Sequence, residues 1–137
     1  MELIRRDTDY AVRALLAISL AEHLVTVADI ADDVDAPPDF LHKILRKLGK
    51  AGIVSAKRGV KGGFVLEKKT NEISLLDVVE AVQGRIALNR CLVDSQACSM
   101  IKKCSVRKRL EVAQDGLKKL LRDITLDELL ITGKDGR

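Results

Sequence analysis

The sequence predicts a mainly α-helical fold with one small β-hairpin, and three observations support this class. Apolar residues recur at helical spacing through most of the chain. Two short β-prone runs flank a glycine-rich segment at 57–63. A regular apolar seam continues over nearly three heptads towards the C-terminus. The chain has 137 residues, of which 47% are hydrophobic, which suits one domain with an extension.

Two helices are predicted in the first 34 residues. The first runs from Asp7 to about His23, and the second begins after Thr26 and ends near Val34. Thr26 is expected to cap the second helix with Asp29 in a variant of the capping box. The apolar stripe of the first helix consists of Ala11, Leu15, Ile18 and Leu20, with Val12 and Leu16 beside them.

A third helix with two distinct faces is predicted to begin at Pro38 and to end before Gly52. Its core stripe is Leu41, Ile44, Leu45 and Leu48. Its polar face holds Asp39, His42, Lys43, Arg46, Lys47 and Lys50. A short helix, a tight turn and a cationic helix predict a helix-turn-helix, whose second helix enters the major groove of DNA.

The runs 53–56 and 64–66 predict a hairpin with a cationic, glycine-rich tip, which is the wing of a winged helix-turn-helix. Arg58 at the tip suits a minor groove, and Lys61 and Gly62 complete the predicted contact surface. A nucleotide-binding loop is the alternative, although the glycine spacing matches neither the Walker pattern nor the dinucleotide fingerprint.

Charge is distributed unevenly along this part of the chain. Residues 39–70 contain nine cations and two acids, whereas residues 21–38 contain five acids and no lysine or arginine. Such a block predicts a face that binds a polyanion, the alternative being an ordinary solvated surface. Aromatic residues make up only 2% of the chain, which argues against a platform that stacks single-stranded bases.

The C-terminal half predicts a short helix, a loop and a long helix. A capping box at Ser74 opens a helix that ends near Gly84, and residues 85–103 lack a sustained period. From about Cys104 the seam of the long helix is Val106, Leu110, Ala113, Leu117, Leu120 and Ile124. Its partner is either the same helix of a second subunit or its own domain. A final short helix covers 124–130.

The predicted organisation therefore has three parts. Residues 1–84 form a winged helix-turn-helix DNA-binding domain with the wing at about 53–67, residues 85–103 form a cysteine-bearing loop, and residues 104–137 form a dimerisation helix with a short C-terminal helix. No apolar run is long enough to span a membrane, and no signal-peptide pattern opens the chain, so a cytoplasmic location is expected.

Three cysteines lie within fourteen residues, in the pattern Cys-x6-Cys-x5-Cys formed by Cys91, Cys98 and Cys104. An odd number of clustered thiols in a reducing compartment indicates metal or redox chemistry, or else three unrelated buried thiols. Structural zinc sites use closer cysteine pairs and four ligands. Three thiolates with an open fourth position better fit a labile iron–sulfur cluster.

Several segments resemble the Rrf-two-type winged-helix repressors, the family of IscR, NsrR and RirA. The resemblance runs from 8–15 (TDYAVRAL) to 124–129 (ITLDEL), and its most specific parts are 58–66 (RGVKGGFVL) and the Arg90-Cys91 pair. The resemblance implies that Cys91, Cys98 and Cys104 ligate a [2Fe–2S] or [4Fe–4S] cluster near the dimer interface. Arg107 stands where IscR-like members have a histidine ligand. Asp9 matches the partner-subunit ligand of NsrR-like members, the alternative being an ordinary acid at a helix N-terminus.

The basic block, the two-faced helix, the wing and the heptad seam predict a homodimer that binds near-palindromic double-stranded DNA. The resemblance implies that it is a repressor whose affinity is switched by a cluster that senses nitric oxide, redox state or iron. One alternative is a thiol- or metal-sensing regulator of the same fold without a cluster, and another is a small iron–sulfur carrier. An enzyme is not expected, because the sequence contains no nucleophile elbow and no zinc-protease helix, and its spacing singles out no acid/base pair.

Overall fold

The computed structural model describes residues 1–21 and 23–135; Glu22 and residues 136–137 of the predicted C-terminal segment lie outside the described residues. The helices are α1 (Arg6–Leu20), α2 (Val27–Val34), α3 (Pro38–Lys50), α4 (Leu75–Gln83), α5 (Ser105–Asp123) and α6 (Leu126–Asp135). The strands are β1 (Val54–Lys57) and β2 (Gly63–Leu66), and they pair antiparallel. The predicted class, mainly helical with one hairpin, is confirmed. No helix among the described residues is long and apolar enough to cross a membrane.

Helix α1 ends three residues earlier than predicted, at Leu20. Ala21 is extended, and Val25 pairs with Phe64 of β2. The Val25 N–H donates to the Phe64 carbonyl at 3.3 Å, and the Phe64 N–H donates back at 2.8 Å. Because this pairing requires extended backbone, the helix stops, and Leu20 is left 64% exposed rather than in the predicted core stripe.

The two helices of the helix-turn-helix follow the sequence prediction closely. Thr26 and Asp29 form the reciprocal capping box at the start of α2, and α2 ends at Val34, after which Asp35 has a left-handed conformation. Pro38 is the first residue of α3, as predicted. Gly52 closes that helix with a φ of 74°, a value that favours glycine. The four predicted core residues of α3 are all buried: Leu41, Ile44, Leu45 and Leu48.

One of the contacts that hold the hairpin against the helices lies beside β2. Gly63 pairs with Lys57 in the hairpin and lies directly against the backbone of Val25. A Cβ atom at Gly63 would approach the Val25 carbonyl oxygen to 2.6 Å, which is closer than real side chains tolerate. Glycine at this position therefore permits the contact that joins the hairpin to the α1–α2 connection.

The substitution Gly63→Ala is expected to lower the free energy of unfolding by about 1–3 kcal/mol, because its methyl group meets backbone that cannot rotate away. Urea denaturation followed by circular dichroism would measure the change. Gly49→Ala is the control, since its Cβ meets only the Val54 carbonyl at 3.8 Å and alanine favours the helix. Equal stability of Gly63→Ala and wild type would contradict the proposed steric role.

The C-terminal half packs on α4. Ser74 and Asp77 form the predicted capping box, and α4 ends before Gly84. A small apolar cluster joins α4 to α5 and consists of Leu76, Val79, Ile86 and Leu121. The strand-like segment before α4 also pairs with the α5–α6 connection, because the Leu75 N–H donates to the Ile124 carbonyl at 2.8 Å.

The predicted seam of α5 divides into two rows. The first row, Leu110, Leu117 and Ile124, is half-buried, and Leu117 packs against the cluster on α4. The second row, Val106, Ala113 and Leu120, is exposed along the helix. Packing on its own domain therefore accounts for one row of the seam and leaves the other row in solvent.

Candidate functional site

Helix α3 presents an exposed polar face directly opposite its buried stripe. Its exposed members are Asp39, His42, Lys43, Arg46, Lys47 and Lys50. The four apolar residues on the inner side hold this helix against α1, α2 and α4, so the outer face has a fixed orientation. A rigid helix with an outer row of cations is suited to contact the phosphates and base edges of a major groove.

Lys47 differs from the other predicted DNA-contacting cations. Its Nζ donates a hydrogen bond of 3.1 Å to the carbonyl of Val82 in the last turn of α4. An ammonium group at a helix C-terminus is favourably placed for the dipole of that helix. Lys47 thus joins α3 to α4, a role that the division of α3 into a polar and an apolar face did not indicate.

The hairpin tip is cationic and exposed, with Arg58 and Lys61 on either side of an exposed Val60. Gly62 is needed inside the turn rather than on its surface. A Cβ there would lie 2.5 Å from the Lys57 carbonyl oxygen, and the Gly62 N–H donates to the Gly59 carbonyl at 2.9 Å. The absence of a side chain at Gly62 thus shapes the tip and thereby positions its two cations.

The three cysteines line one cavity of about 190 Å³ beside the N-terminus of α5. Cys91 lies in a 3₁₀ turn at Arg90–Leu92, Cys98 is exposed on the loop, and Cys104 is the N-cap of α5. The remaining lining residues are Asn89, Arg90, Ala97, Ile101 and Arg107. The three cysteines, with six and five residues between them in sequence, therefore share one concave surface, as a common ligand would require.

The cysteine cavity has the donor set for an iron–sulfur cluster. All three sulfur-bearing residues are free thiols, and thiolate is the usual protein ligand of such clusters. Among the described residues, however, no three His, Cys, Asp or Glu side chains are close enough to hold a single metal ion. The residues fit a multi-atom group on condition that the loop between Cys91 and Cys104 moves inward.

Asp9 lies on the exposed side of α1 and does not line this cavity. Its side chain is 53% exposed and forms an ion pair of 3.0 Å with Arg13, one turn along the helix. Reaching a cluster on another subunit would require this carboxylate to share or leave its arginine partner. An acid in the first turn is also favoured by the helix dipole.

Two glutamines that the sequence analysis did not single out join separate parts of the fold: Gln114 bonds to the segment before the first cysteine, and Gln83 bonds to the N-terminal residues. Gln114 of α5 is only 8% exposed, and its Oε1 accepts a 2.9 Å hydrogen bond from the Leu88 N–H. Gln83 at the end of α4 accepts from the Thr8 hydroxyl at 2.6 Å and donates to the Leu3 carbonyl at 3.0 Å. Gln114 lies at helical spacing from Leu110, Leu117 and Leu121, and this placement was the available signal for it.

Solved structures with the same fold are known. CymR of B. subtilis, described as its global cysteine regulator, aligns with a TM-score of 0.73 at 21% identity over 95% of this chain and 97% of that chain. The IscR of T. potens aligns with a TM-score of 0.75 at 22% identity over 98% of this chain and 90% of that one. These structures share the winged-helix arrangement described above.

Sequence relatives support a narrower assignment. Protein aau3 of Rhizobium meliloti is 31% identical over 93% of this chain and 84% of its own length. The transcriptional regulator IscR of Pectobacterium atrosepticum is 32% identical over 88% of this chain and 74% of its own length. The expectation of a regulator rather than an enzyme is thereby confirmed. Residues 4–132 also match the Rrf2 family, described as iron-dependent transcriptional regulators, and the chain belongs to this family.

Proposed function

We propose that this regulator is a homodimeric repressor whose hold on a near-palindromic operator is set by an iron–sulfur cluster at its three cysteines. The observation that carries the DNA-binding part is the cationic outer face of α3, held rigid by its buried inner face. The proposal keeps residues 1–84 as the DNA-binding domain, 85–103 as the cluster loop and 104–137 as the dimerisation segment. Because its partner is DNA, we place the protein in the cytoplasm.

The exposed residues of the DNA-binding surface have proposed roles, except Lys47, whose ammonium bonds to Val82. Asp39, His42 and Lys43 lie at the start of α3, where side chains reach base edges in the major groove. Arg46 and Lys50 neutralise phosphates and release counterions. At the tip, Arg58 enters the minor groove, whose negative potential attracts guanidinium groups, while Lys61 contacts the adjacent backbone.

The substitution Lys50→Gln is expected to reduce the slope of log affinity against log salt concentration by about one, because one phosphate contact is lost. Fluorescence anisotropy with a duplex of random sequence would measure this slope. Lys47→Gln is a charge-matched control from the same helix, since its ammonium already bonds to Val82. Equal loss of slope in both variants would show that charge, rather than the proposed outer face, determines binding.

The exposed row on α5 supports the dimer. Val106, Ala113 and Leu120 repeat every seven residues, so they form one apolar line along the helix. We propose that a second copy covers this line, which relates the two α3 helices by a two-fold axis. Such a dimer reads two half-sites about one turn of DNA apart, and this geometry explains a near-palindromic operator.

The cysteine cavity supports the cofactor. Cys91, Cys98 and Cys104 would hold a [2Fe–2S] or [4Fe–4S] cluster, with Asp9 of the partner subunit as the fourth ligand. Such a cluster would react with nitric oxide or oxygen, and it would be lost when iron is scarce. Residues 88–104, which run from Leu88 to the N-cap of α5, would become ordered against α5 when a cluster binds the three cysteines. Loss of the cluster would make this segment mobile again. Coupling of roughly 1–3 kcal/mol between this order and operator binding would change affinity about 5–150-fold.

A regulator that senses thiols or metal ions without a cluster is the second candidate. It is favoured by the exposure of Cys98 and by the wide spacing of the three cysteines. Anaerobic reconstitution with iron and sulfide, followed by visible absorption spectroscopy and zinc analysis, separates the two candidates. A thiolate-to-iron absorption band supports the cluster, and zinc binding or reversible oxidation alone supports the second candidate. The carrier alternative is not retained, because the chain belongs to a family of regulators.

A further inference from the structure

Arg107 contacts two of the three cysteine residues at once. Its backbone N–H donates to the Cys104 sulfur at 3.4 Å, and its side-chain Nε donates to the Cys91 carbonyl at 3.4 Å. Its side chain is 28% exposed and lines the cysteine cavity. One residue therefore links the turn at Cys91 to the first turn of α5, across sixteen positions of sequence.

The orientation of the guanidinium is set by Glu111, one turn further along α5. The Arg107 Nη1 and the Glu111 Oε1 are 3.1 Å apart. Because the guanidinium group is planar, fixing one arm on the carboxylate limits the directions available to Nε. The ion pair thereby directs the remaining N–H towards Cys91.

The position of Arg107 is electrostatically unusual for a helix N-terminus. The first turn of α5 contains no acid, and Lys108 follows Arg107 directly. The positive end of the helix dipole disfavours cations here and favours anions. An arginine has no lone pair to offer a metal. Its charge does, however, offset the repulsion among three thiolates gathered in one cavity.

We propose that Arg107 is a positioning residue of the cysteine site. It holds the Cys91 turn against the N-terminus of α5 before any cofactor binds, so that Cys91 and Cys104 already face one cavity. Its charge then lowers the cost of bringing three thiolates together. This inference rests on the proposed function for the identity of the ligand, but its first consequence concerns the protein without any cofactor.

Hydrogen exchange of the cofactor-free protein tests the positioning directly. The amides of Leu92, Val93 and Asp94 are bonded within the turn that Arg107 holds. In Arg107→Gln we expect these amides to exchange about three to ten times faster, because a bond to a charged donor is lost. Lys108→Gln removes the same charge from the same turn and is expected to leave them unchanged. Equal exchange in wild type and Arg107→Gln, or equal acceleration in both variants, would overturn the proposal.

A conservative variant separates geometry from charge. Arg107→Lys keeps the positive charge but cannot bond Glu111 and the Cys91 carbonyl through one planar group. We expect its exchange to match that of Arg107→Gln, and wild-type protection in the lysine variant would overturn the geometric role. Thermal denaturation of each variant verifies that the fold is retained.

Cluster uptake tests the second part of the inference. During anaerobic reconstitution with iron and sulfide, Arg107→Gln is expected to gain visible absorption about three to ten times more slowly than wild type, and Lys108→Gln to match wild type. Uptake by Arg107→Gln at the wild-type rate would remove the role in cofactor binding. If wild type takes up no cluster, the proposed cofactor is wrong, while the exchange experiment still decides the positioning.

Discussion

The substitution Leu120→Glu is expected to convert the protein from a dimer into a monomer and to lower its operator affinity by about 100-fold or more. Leu120 is 66% exposed on α5, in line with Val106 and Ala113. In a two-fold dimer one substitution places two carboxylates in the apolar contact, where burying an unpaired charge costs several kcal/mol. Because two linked half-site contacts gain roughly 100-fold to 10,000-fold over one, loss of the dimer removes most of the affinity.

Analytical ultracentrifugation would measure the oligomeric state, and anisotropy with a duplex selected by the wild-type protein would measure the affinity. Arg122→Glu is the control, since Arg122 is exposed two residues further on, about 200° around the helix. This variant changes the charge by more than Leu120→Glu does and leaves the apolar line intact. A Leu120→Glu protein that stays dimeric, with unchanged affinity, would remove α5 from the proposed interface.

Helix starts were predictable from the sequence because their signals are local. Thr26 with Asp29 and Ser74 with Asp77 form their capping boxes within four residues, and Pro38 begins α3 as expected. The end of α1 was not predictable in this way. It depends on pairing between Val25 and Phe64, which are distant in sequence, and helical periodicity contains no information about such a partner.

The site could be predicted as a set of faces, but not as a set of contacts. The polar face of α3 lies outside as expected, yet the bond from Lys47 to Val82 depends on how α4 packs. Arg107 was notable in the sequence only because it stands in place of a histidine, whereas the structure shows its bond to Cys91. A heptad seam likewise cannot indicate that one row packs on α4 and the other remains exposed.

The substitution Cys91→Ser is expected to abolish the cluster and with it the response of DNA binding to the cofactor. Cys91, Cys98 and Cys104 line one cavity, so removal of one leaves two thiols, too few for the proposed ligand set. After anaerobic reconstitution we expect wild type to show visible absorption and Cys91→Ser to show none. Ser95→Ala, a variant in the same loop but outside the cavity lining, is expected to behave as wild type.

The decisive measurement compares operator affinity with and without the cofactor in each protein. For wild type we expect the loaded form to bind about 5–150 times more tightly, since segment 88–104 is then ordered against α5. Gln114 bonds this segment to α5, and Lys47 bonds α3 to α4. Ordering near the cysteines is therefore expected to affect the position of α3, the helix that contacts DNA. For Cys91→Ser the two preparations should bind equally. If wild type also binds equally in both states, the cysteines do not control DNA binding, and the dimer and its winged domains act without this switch.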